Sequence, residues 1–412
     1  MSKNKQKSNV INELYQEIES GNIKFLDSFW STIEEIGTPI IESIDGDNNY
    51  SLVTFIYKGD ENTDTLQLYI PTNVHPDNID NTSYGLSEFK FECIPNTNVW
   101  YTSCIALNDV RFSYKLLLNC PFEKIAECPE KMIKDEFGRD KLVFPDDEDH
   151  KNDYVINYVL MPAATEHIWV KERGDSLKGE IKTHSSHSNI LKNERNIAIY
   201  TPSNYSNENE PYNLLIITDG SVYLDISGKE ILDNLINDNK IPPTVAVFID
   251  SNDHRMSELM CNDHFSAYIV EEVIPWVREH YNVTEDASKT IIAGSSLGGL
   301  TASFMGLRYP NIFGNILSQS GSYWYKGEDM EDPEKRNWIA RQFKKIDKLP
   351  LKFYLNVGVL ESSRMYSTNQ EFKEVLESKG YPVSYEEFKS GHDYLSWGET
   401  LGTGLIALIG NE

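Results

Sequence analysis

The sequence has no long apolar run and few cysteines. No stretch approaches the roughly 18 consecutive apolar residues of a membrane-spanning helix, and no apolar segment follows the basic N-terminus as in a secretory signal. The 5 cysteines include no CxxC pair. This pattern disfavours a disulfide framework or a zinc site and favours the reduced thiols of a cytoplasmic protein. A disulfide between Cys93 and Cys104 across a hairpin is the alternative.

Positive charge is also scarce. The chain has 38 Lys and Arg against 64 Asp and Glu in 412 residues, which gives a net charge of −26. Such a chain repels phosphate backbones and anionic lipid, so neither a nucleic acid nor a membrane is expected as a partner. An anionic small molecule would need a local basic site that works against this overall field.

What the sequence does contain indicates two domains of different character. Residues 10–36 have a helical pattern, and from Tyr50 short alternating runs are separated by Asn, Pro, Asp and Gly. Such runs predict an antiparallel β-sandwich in an N-terminal domain, residues 1–160. Residues 161–412 alternate apolar strand-like runs with helical stretches. This alternation predicts an α/β domain with a parallel sheet covered on both faces.

The clearest chemical signal is a G-x-S-x-G motif between a strand and a helix. The apolar run Thr290–Ala293 leads into Gly294-Ser295-Ser296-Leu297-Gly298, and a helical pattern follows. In this context the motif predicts a nucleophile elbow, with Ser296 as the nucleophile and the N–H of Leu297 as an oxyanion donor. The alternative is a structural glycine turn. A second oxyanion donor is predicted in the loop after Leu214–Thr218, at the N–H of Ser221, where the alternative is a simple strand-ending turn.

The base and the acid follow from chain order. In α/β-hydrolases the nucleophile is followed by the acid and then by the histidine. His392 is the only one of 9 histidines beyond Ser296, and it follows a strand-like run, Val383–Phe388. Glu361 is the first carboxylate after the preceding run, Lys352–Val357. We therefore predict His392 as the base and Glu361 as the acid that orients it. A Ser–His dyad without an essential acid is the alternative.

At these positions the sequence resembles the enterochelin (enterobactin) esterases, ferric-siderophore hydrolases of the esterase D-like group of α/β-hydrolases. The C-terminal segments that carry the resemblance are Ile216–Gly220, Ile241–Pro243, Val247–Asp250, His254–Leu259, Ala293–Leu300, Leu317–Trp324 and Gly391–Asp393 with Trp397. In the N-terminal half they are Phe29-Trp30, Gly37–Pro39 and Val99-Trp100. The segments SQSGSYW and HR-x-x-EL are more specific than the elbow, because most α/β-hydrolases lack them.

The resemblance implies a serine esterase that hydrolyses the ester bonds of a catecholate trilactone siderophore, or of its ferric complex, and releases iron in the cytoplasm without a cofactor. It also implies an Ig-like N-terminal sandwich that helps to enclose the siderophore. Arg255 would face the anionic catecholates; its alternative is a local pair with Glu258. The rings of Tyr323 and Trp324 would stack on catechol rings. Their alternative is core packing beside the site.

Other functions remain open at this point. A general carboxylesterase acting on feruloyl, acetyl or S-formyl esters would use the same machinery with a different lining. An acyltransferase would exclude water and pass the acyl group to an alcohol. A non-catalytic binder of the same fold is disfavoured by the intact set of Ser296, Glu361 and His392.

Overall fold

The computed structural model describes residues 8–72, 87–146, 153–174, 176–327 and 336–411. The chain forms two compact units. The first comprises residues 1–166 together with 360–362 and 389–395, and the second comprises 167–359, 363–388 and 396–412. Within the described ranges, no helix combines the length and the apolar character needed to cross a membrane.

The first unit begins with two helices, α1 (Asn9–Glu19) and α2 (Phe25–Ile36), so the helical pattern predicted for residues 10–36 is confirmed. Each helix turns its apolar side inward. Leu14, Trp30 and Ile33 are buried in one cluster with the sheet residues that follow. Packing of this amphipathic side stabilises these short helices more than their intrinsic propensity does.

The rest of the first unit consists of short strands. They are β1 (Ile40–Ile44), β2 (Asp47–Lys58), β3 (Leu66–Ile70), β4 (Ser87–Lys90), β5 (Glu92–Cys93), β6 (Val99–Leu107), β7 (Arg111–Leu118), β8 (Met132–Ile133), β9 (Asp140–Phe144) and β10 (Tyr154–Leu160). In the described part of the chain they form two antiparallel sheets, ordered β1-β2-β6-β5 and β4-β3-β7-β10-β9, with β8 paired to β7. The rings of Phe55 on β2 and Tyr114 on β7 meet edge-on at 4.8 Å, which joins the two sheets.

The cysteines depart from the sequence prediction. Cys120 and Cys128, 8 residues apart in the loop after β7, form a disulfide, so the prediction of reduced thiols is wrong for this pair. Their spacing matches no signature, and only the path of the loop brings their Cα atoms to 6.8 Å. Cys93 and Cys104 are free. The alternative disulfide between them is absent because the β5–β6 register sets Cys93 opposite Trp100.

The second unit is built on a mostly parallel sheet, so the predicted α/β class is confirmed. Its strands are β11 (Glu180–Ser188), β12 (Asn193–Thr201), β13 (Asn213–Thr218), β14 (Thr244–Ile249), β15 (Thr290–Ser295), β16 (Asn315–Gln319), β17 (Lys352–Gly358) and β18 (Val383–Phe388). Their order is β11-β12-β14-β13-β15-β16-β17-β18, and the strands from β14 to β18 are parallel. The chain crosses from β14 to β15 on the other side of β13. Ligands of open α/β sheets bind beyond the carboxyl ends of the strands at such a switch point.

Helices surround this sheet. They are α3 (Gly220–Asp225), α4 (Gly228–Asn237), α5 (Arg255–Glu258), α6 (Asp263–Ala267), α7 (Ile274–His280), α8 (Leu297–Arg308), α9 (Trp338–Lys345), α10 (Ser363–Ser378) and α11 (Tyr394–Ile409), with a π-helical stretch at Tyr268–Val273. Strands β13, β14, β15 and β16 are buried throughout. The carboxyl ends of these rigid central strands are therefore well suited to hold reactive groups in fixed positions.

Candidate active site

Ser296 lies in a strained turn between β15 and α8. Its backbone has φ 56° and ψ −116°, a conformation that costs a non-glycine residue free energy and persists only where the surroundings enforce it. Two backbone hydrogen bonds do so here. The Ser296 N–H donates to the carbonyl of Gln319 at 2.8 Å, and the Ser322 N–H donates to the carbonyl of Ser296 at 2.9 Å. A strained serine between a buried strand and a helix is the geometry of a nucleophile elbow.

The glycines of the motif are required by close packing. A Cβ at position 294 would lie 2.5 Å from Thr218 Oγ1 and 2.6 Å from the carbonyl carbon of Gly298. A Cβ at Gly298 would lie 2.5 Å from the same Thr218 hydroxyl. Both Gly294 and Gly298 therefore let the turn approach β13, which carries the neighbouring loop at its carboxyl end.

The N-terminus of α8 supplies an electrostatic environment for a developing negative charge. Leu297 is the first residue of this helix, so its N–H belongs to the amides that lack a partner within the helix. The Ser296 hydroxyl lies 3.2 Å from the hydroxyl of Ser322. Sequence reasoning missed Ser322, although the motif SQSGSYW contains it and it follows β16, the neighbour of β15.

The loop after β13 is held by two carboxylates. Asp219 has a left-handed backbone, with φ 56° and ψ 45°, and accepts hydrogen bonds from Arg255 Nε at 2.8 Å and Nη2 at 2.7 Å. Asp250, which follows β14, accepts the N–H of Ser221 at 2.8 Å. The Ser221 amide is thus directed at a carboxylate, and a substrate oxygen would have to replace that acceptor. Its role as second oxyanion donor stays a prediction.

Arg255 does not form the local pair with Glu258 that was its alternative. The carboxylate of Glu258 is bound by Arg195, with Nη1 at 2.9 Å and Nη2 at 2.6 Å, and both side chains are buried. Arg255 instead pairs with Asp219 and keeps 35% of its side chain exposed. This partner was not predictable from spacing, because 36 residues separate the two positions.

The two aromatic candidates occupy different environments. Tyr323 is fully buried, and its hydroxyl forms hydrogen bonds with Ser303 at 2.8 Å and Ser318 at 2.6 Å. It therefore belongs to the core, as its alternative describes, because a ring without exposure has no face for a ligand. Trp324 is half-buried, and the guanidinium of Arg364, at the start of α10, lies 5.3 Å from its ring centroid. Sequence reasoning missed Arg364, an exposed cation three residues beyond Glu361.

His392 and Glu361 form a close pair. The distance from His392 Nδ1 to Glu361 Oε2 is 2.8 Å. The Glu361 side chain is fully buried, whereas that of His392 is 32% exposed. A carboxylate on Nδ1 fixes the imidazole tautomer in which Nε2 accepts a proton. Glu361 comes three residues after β17 and His392 four after β18, and these strands are parallel neighbours.

Acidic groups also lie beside the loop after β13. Burial, and then the charge of Asp250, raises the pKa of Asp225 to about 6. Burial likewise raises the pKa of Asp250, although its hydrogen bonds from Ser221 act in the opposite direction. Among the residues that the structure describes, no group of three or more His, Cys, Asp or Glu side chains is arranged to hold a metal ion.

Comparison with known proteins gives the class. Residues 188–408 match the family model named Esterase, with the description "Putative esterase". The match covers more than half of the chain, so the protein belongs to this family and is a carboxylic ester hydrolase.

Individual relatives extend this result. The chain is 26% identical over 403 residues to the iron(III) enterobactin esterase of Dickeya dadantii, which covers 90% of each chain. It is 25% identical to the iron(III) salmochelin esterase of Escherichia coli over 98% of this chain and 99% of that one. Among solved structures, the ferric enterobactin esterase of Salmonella typhimurium has a TM-score of 0.77 at 24% identity, covering 93% of this chain and 98% of that chain. The Shigella flexneri enterobactin esterase has a TM-score of 0.76 at 23% identity, covering 92% and 97%. These likenesses show a shared fold.

Proposed function

We propose that this protein is a serine esterase that hydrolyses the ester bonds of a catecholate trilactone siderophore or of its ferric complex. The observation that carries the proposal is the strained backbone of Ser296 between β15 and α8. Ser296 is the nucleophile of the proposed site, His392 the base and Glu361 the acid that orients the imidazole. The hydrogen bond of 2.8 Å between His392 and Glu361 supports the last two assignments.

The proposed reaction proceeds by acyl transfer to Ser296. His392 Nε2 takes the hydroxyl proton while Oγ bonds to the ester carbonyl carbon, and the resulting oxyanion faces the N–H of Leu297. Collapse of this intermediate breaks the bond to the leaving alkoxide, which takes its proton from His392. Water, deprotonated by His392, then attacks the acyl carbon; the bond from that carbon to Ser296 Oγ breaks, Oγ takes the proton back from His392, and the carboxylic acid is released. Glu361 stabilises the imidazolium that forms in each half of the reaction.

The substrate class is proposed from the relatives and from the surroundings of Trp324. The relatives that match over most of their length are named as enterobactin and salmochelin esterases. A catecholate ester is aromatic and anionic, and Trp324 with the Arg364 guanidinium at 5.3 Å combines an aromatic face with a positive charge. Arg255 is the second proposed cation. A local basic site is required because the net charge of −26 opposes the approach of an anion.

The decisive experiment compares a ferric catecholate trilactone, its iron-free form and simple aryl esters, with products identified by mass. We expect the trilactone to be cleaved and Ser296→Ala to abolish cleavage, since loss of the nucleophile lowers turnover on the order of 10⁶-fold. Ser295→Ala is the matched control, because Ser295 is the buried neighbouring serine of the same motif, and it should retain activity.

Three results would contradict this proposal. Turnover of aryl esters without turnover of any trilactone would indicate a general carboxylesterase. Transfer of the acyl group to an added alcohol in preference to water would indicate an acyltransferase. Absence of hydrolysis with retained ligand binding would indicate a binding protein.

The proposal extends to the first unit and to the cellular location. We propose that the two antiparallel sheets form an Ig-like β-sandwich, with a domain boundary near residue 160, and that this domain helps to enclose the substrate. The ring contact between Phe55 and Tyr114 supports face-to-face packing of the sheets.

The proposed location is the cytoplasm, where released iron is used. The Cys120–Cys128 disulfide argues in the other direction, since cytosolic disulfides are rare. Cell fractionation with thiol counting on the freshly isolated protein tests this part.

A further inference from the structure

The segments that carry Glu361 and His392 belong to the first unit although they follow strands of the second. Residues 360–362 and 389–395 group with residues 1–166 in the first unit. Within that unit, the Leu360 N–H donates to the carbonyl of Ser390 at 3.0 Å, which joins the two segments beside the pair of Glu361 and His392. Glu361 and His392 therefore lie on two short segments that are hydrogen-bonded to each other.

Thr72 anchors the segment that carries the acid. This residue follows β3 and is fully buried, and its hydroxyl donates to the carbonyl of Leu360 at 2.8 Å. The other segment passes so close to Thr72 that a Cβ at Gly391 would lie 2.0 Å from its hydroxyl oxygen. One threonine side chain thus contacts the residue before Glu361 and the residue before His392.

Strand β7 anchors the segment that carries the base. The Arg111 N–H donates to the carbonyl of Lys389 at 3.1 Å. Ser113 donates to Asp393 Oδ2 through its N–H at 3.3 Å and through its hydroxyl at 3.2 Å, and the Asp393 side chain is buried. A buried carboxylate needs such donors, because an unsatisfied one is costly. His392 thus lies between Gly391, held against Thr72, and Asp393, held by Ser113.

These anchors lie at one end of a single pair of strands. Strands β3 and β7 are antiparallel, with Leu66 opposite Leu118 and Tyr69 opposite Lys115. Continuing this register brings Thr72 level with Phe112, between Arg111 and Ser113. The contacts on both segments therefore come from the same end of the β3–β7 pair.

We propose that Thr72 and Ser113 are positioning residues of the reaction, which hold Glu361 and His392 in register through the segments that carry them. The inference rests on the proposed function, because it requires Glu361 and His392 to be the acid and the base. It gives the antiparallel sheets a role in catalysis itself, in addition to any role in enclosing substrate. Small errors in the position of a catalytic base lower turnover strongly while substrate binding is retained.

The test measures kcat and KM of the full-length protein on a neutral aryl ester, so that the identity of the natural substrate does not matter. Thr72→Val removes the hydroxyl at constant shape and should lower kcat about 5- to 10-fold with KM unchanged, as expected for one lost hydrogen bond. Ser113→Ala should lower kcat by a similar factor. Thr72→Ser restores the hydroxyl and should recover most of the loss. The matched control is Thr54→Val. Thr54 lies on β2, outside the sheet of β3 and β7, and its hydroxyl lies 2.8 Å from the hydroxyl of Ser103 on the adjacent β6. The kcat of this variant should be unchanged.

A double-mutant cycle separates positioning from general loss of stability. If Thr72 acts by positioning His392 and Glu361, Thr72→Val should change kcat less than 2-fold in a His392→Ala background, because there is no base left to position and Glu361 acts only through it. An undiminished loss in that background, or equal losses in Thr72→Val and Thr54→Val, would overturn the inference. So would wild-type kcat in Thr72→Val while Glu361→Gln and His392→Ala are impaired. Wild-type kcat in Glu361→Gln and His392→Ala would instead overturn the proposed triad, and the inference with it.

Discussion

The ion pair between Arg255 and Asp219 changes the kinetic effect that we expect from substituting Arg255. From the sequence alone, its removal should impair anionic esters selectively. Its two hydrogen bonds to Asp219, at the start of the loop after β13, link it to the geometry of that loop as well. Arg255→Ala should therefore lower kcat/KM for a neutral aryl ester too, by about 10-fold or more as a lost bidentate pair would, and more for an anionic ester.

Steady-state kinetics on the two esters checks this expectation. Arg255→Lys should recover only part of the loss, because an ammonium does not reproduce the planar fork of the guanidinium. Arg308→Ala is the control, since Arg308 forms a comparable but exposed pair with Asp263 at 3.0 Å. A neutral ester hydrolysed at the wild-type rate by Arg255→Ala would contradict a positioning role for the pair with Asp219.

Single residues were predictable where a motif or the chain order identifies them. The motif around Ser296 and the unique position of His392 beyond it need no knowledge of the fold beyond its class. Ser322, Asp250 and Arg364 were not predictable, because each acquires its neighbour through the order of strands in the sheet. The burial of Tyr323 has the same origin, since the pattern SQSGSYW does not indicate which of two adjacent rings turns inward.

At the scale of elements, a buried polar network connects β16, β17 and α11. The Thr400 hydroxyl accepts hydrogen bonds from Gln319 Nε2 at 2.6 Å and from Asn356 Nδ2 at 2.9 Å, and donates to the carbonyl of Ser396 at 2.8 Å. The Gln319 side chain also accepts from Tyr223 at 2.6 Å, which adds α3. Such a network is strong only while every member has its partner.

Thr400→Val should accordingly destabilise the protein. The substitution keeps the shape of the side chain but removes an acceptor from two buried amide groups, and each unsatisfied group costs about 1–3 kcal/mol. We expect a loss of about 2 kcal/mol or more in the free energy of unfolding, measured by chemical denaturation. Thr301→Val is the control, because the equally buried Thr301 hydroxyl only donates to the carbonyl of Leu259 at 2.8 Å. Equal losses of unfolding free energy in both variants would show that the network adds nothing beyond a single hydrogen bond.

The class of the main elements followed from their sequence patterns, but β8 and β9 and the grouping of elements did not. Alternation of apolar strands with helices identified the α/β part, and short alternating runs indicated antiparallel strands. Residues 360–362 and 389–395 nevertheless belong to the first unit. Their assignment depends on side-chain contacts such as that of Thr72 with Leu360, across 288 residues of sequence, which no local pattern encodes.

At the scale of the whole molecule, the net charge of −26 reflects an excess of carboxylates, and Asp225 is a partly buried one whose protonation affects stability. The pKa of Asp225 is raised from 3.8 to about 6 by burial and by Asp250. Between pH 4 and 6 the folded protein therefore retains a proton that the unfolded chain has released, so this group lowers stability as the pH rises through that window. Above pH 6 the unfavourable contribution is constant.

Asp225→Asn should remove this contribution. Its melting temperature should equal that of the wild type near pH 4 and exceed it by on the order of a degree or two at pH 7, a small gain because the group is half-exposed to solvent. Thermal denaturation across this pH range gives the measurement. Asp45→Asn, at an exposed position, controls for the change in net charge. Equal pH profiles of the melting temperature for the two variants would show that the ionised Asp225 does not destabilise the folded protein.

Hydrogen bonds with α11 support the turn of Ser296, and this affects when the chain can become active during its synthesis. Gln319, whose carbonyl accepts the Ser296 N–H, is itself bonded through its side chain to the carbonyl of Trp397 and to Thr400. The ribosome must therefore make about a hundred further residues after the G-x-S-x-G motif before the turn has its full support. We expect a chain that ends before α11 to lack esterase activity although it retains Ser296, Glu361 and His392.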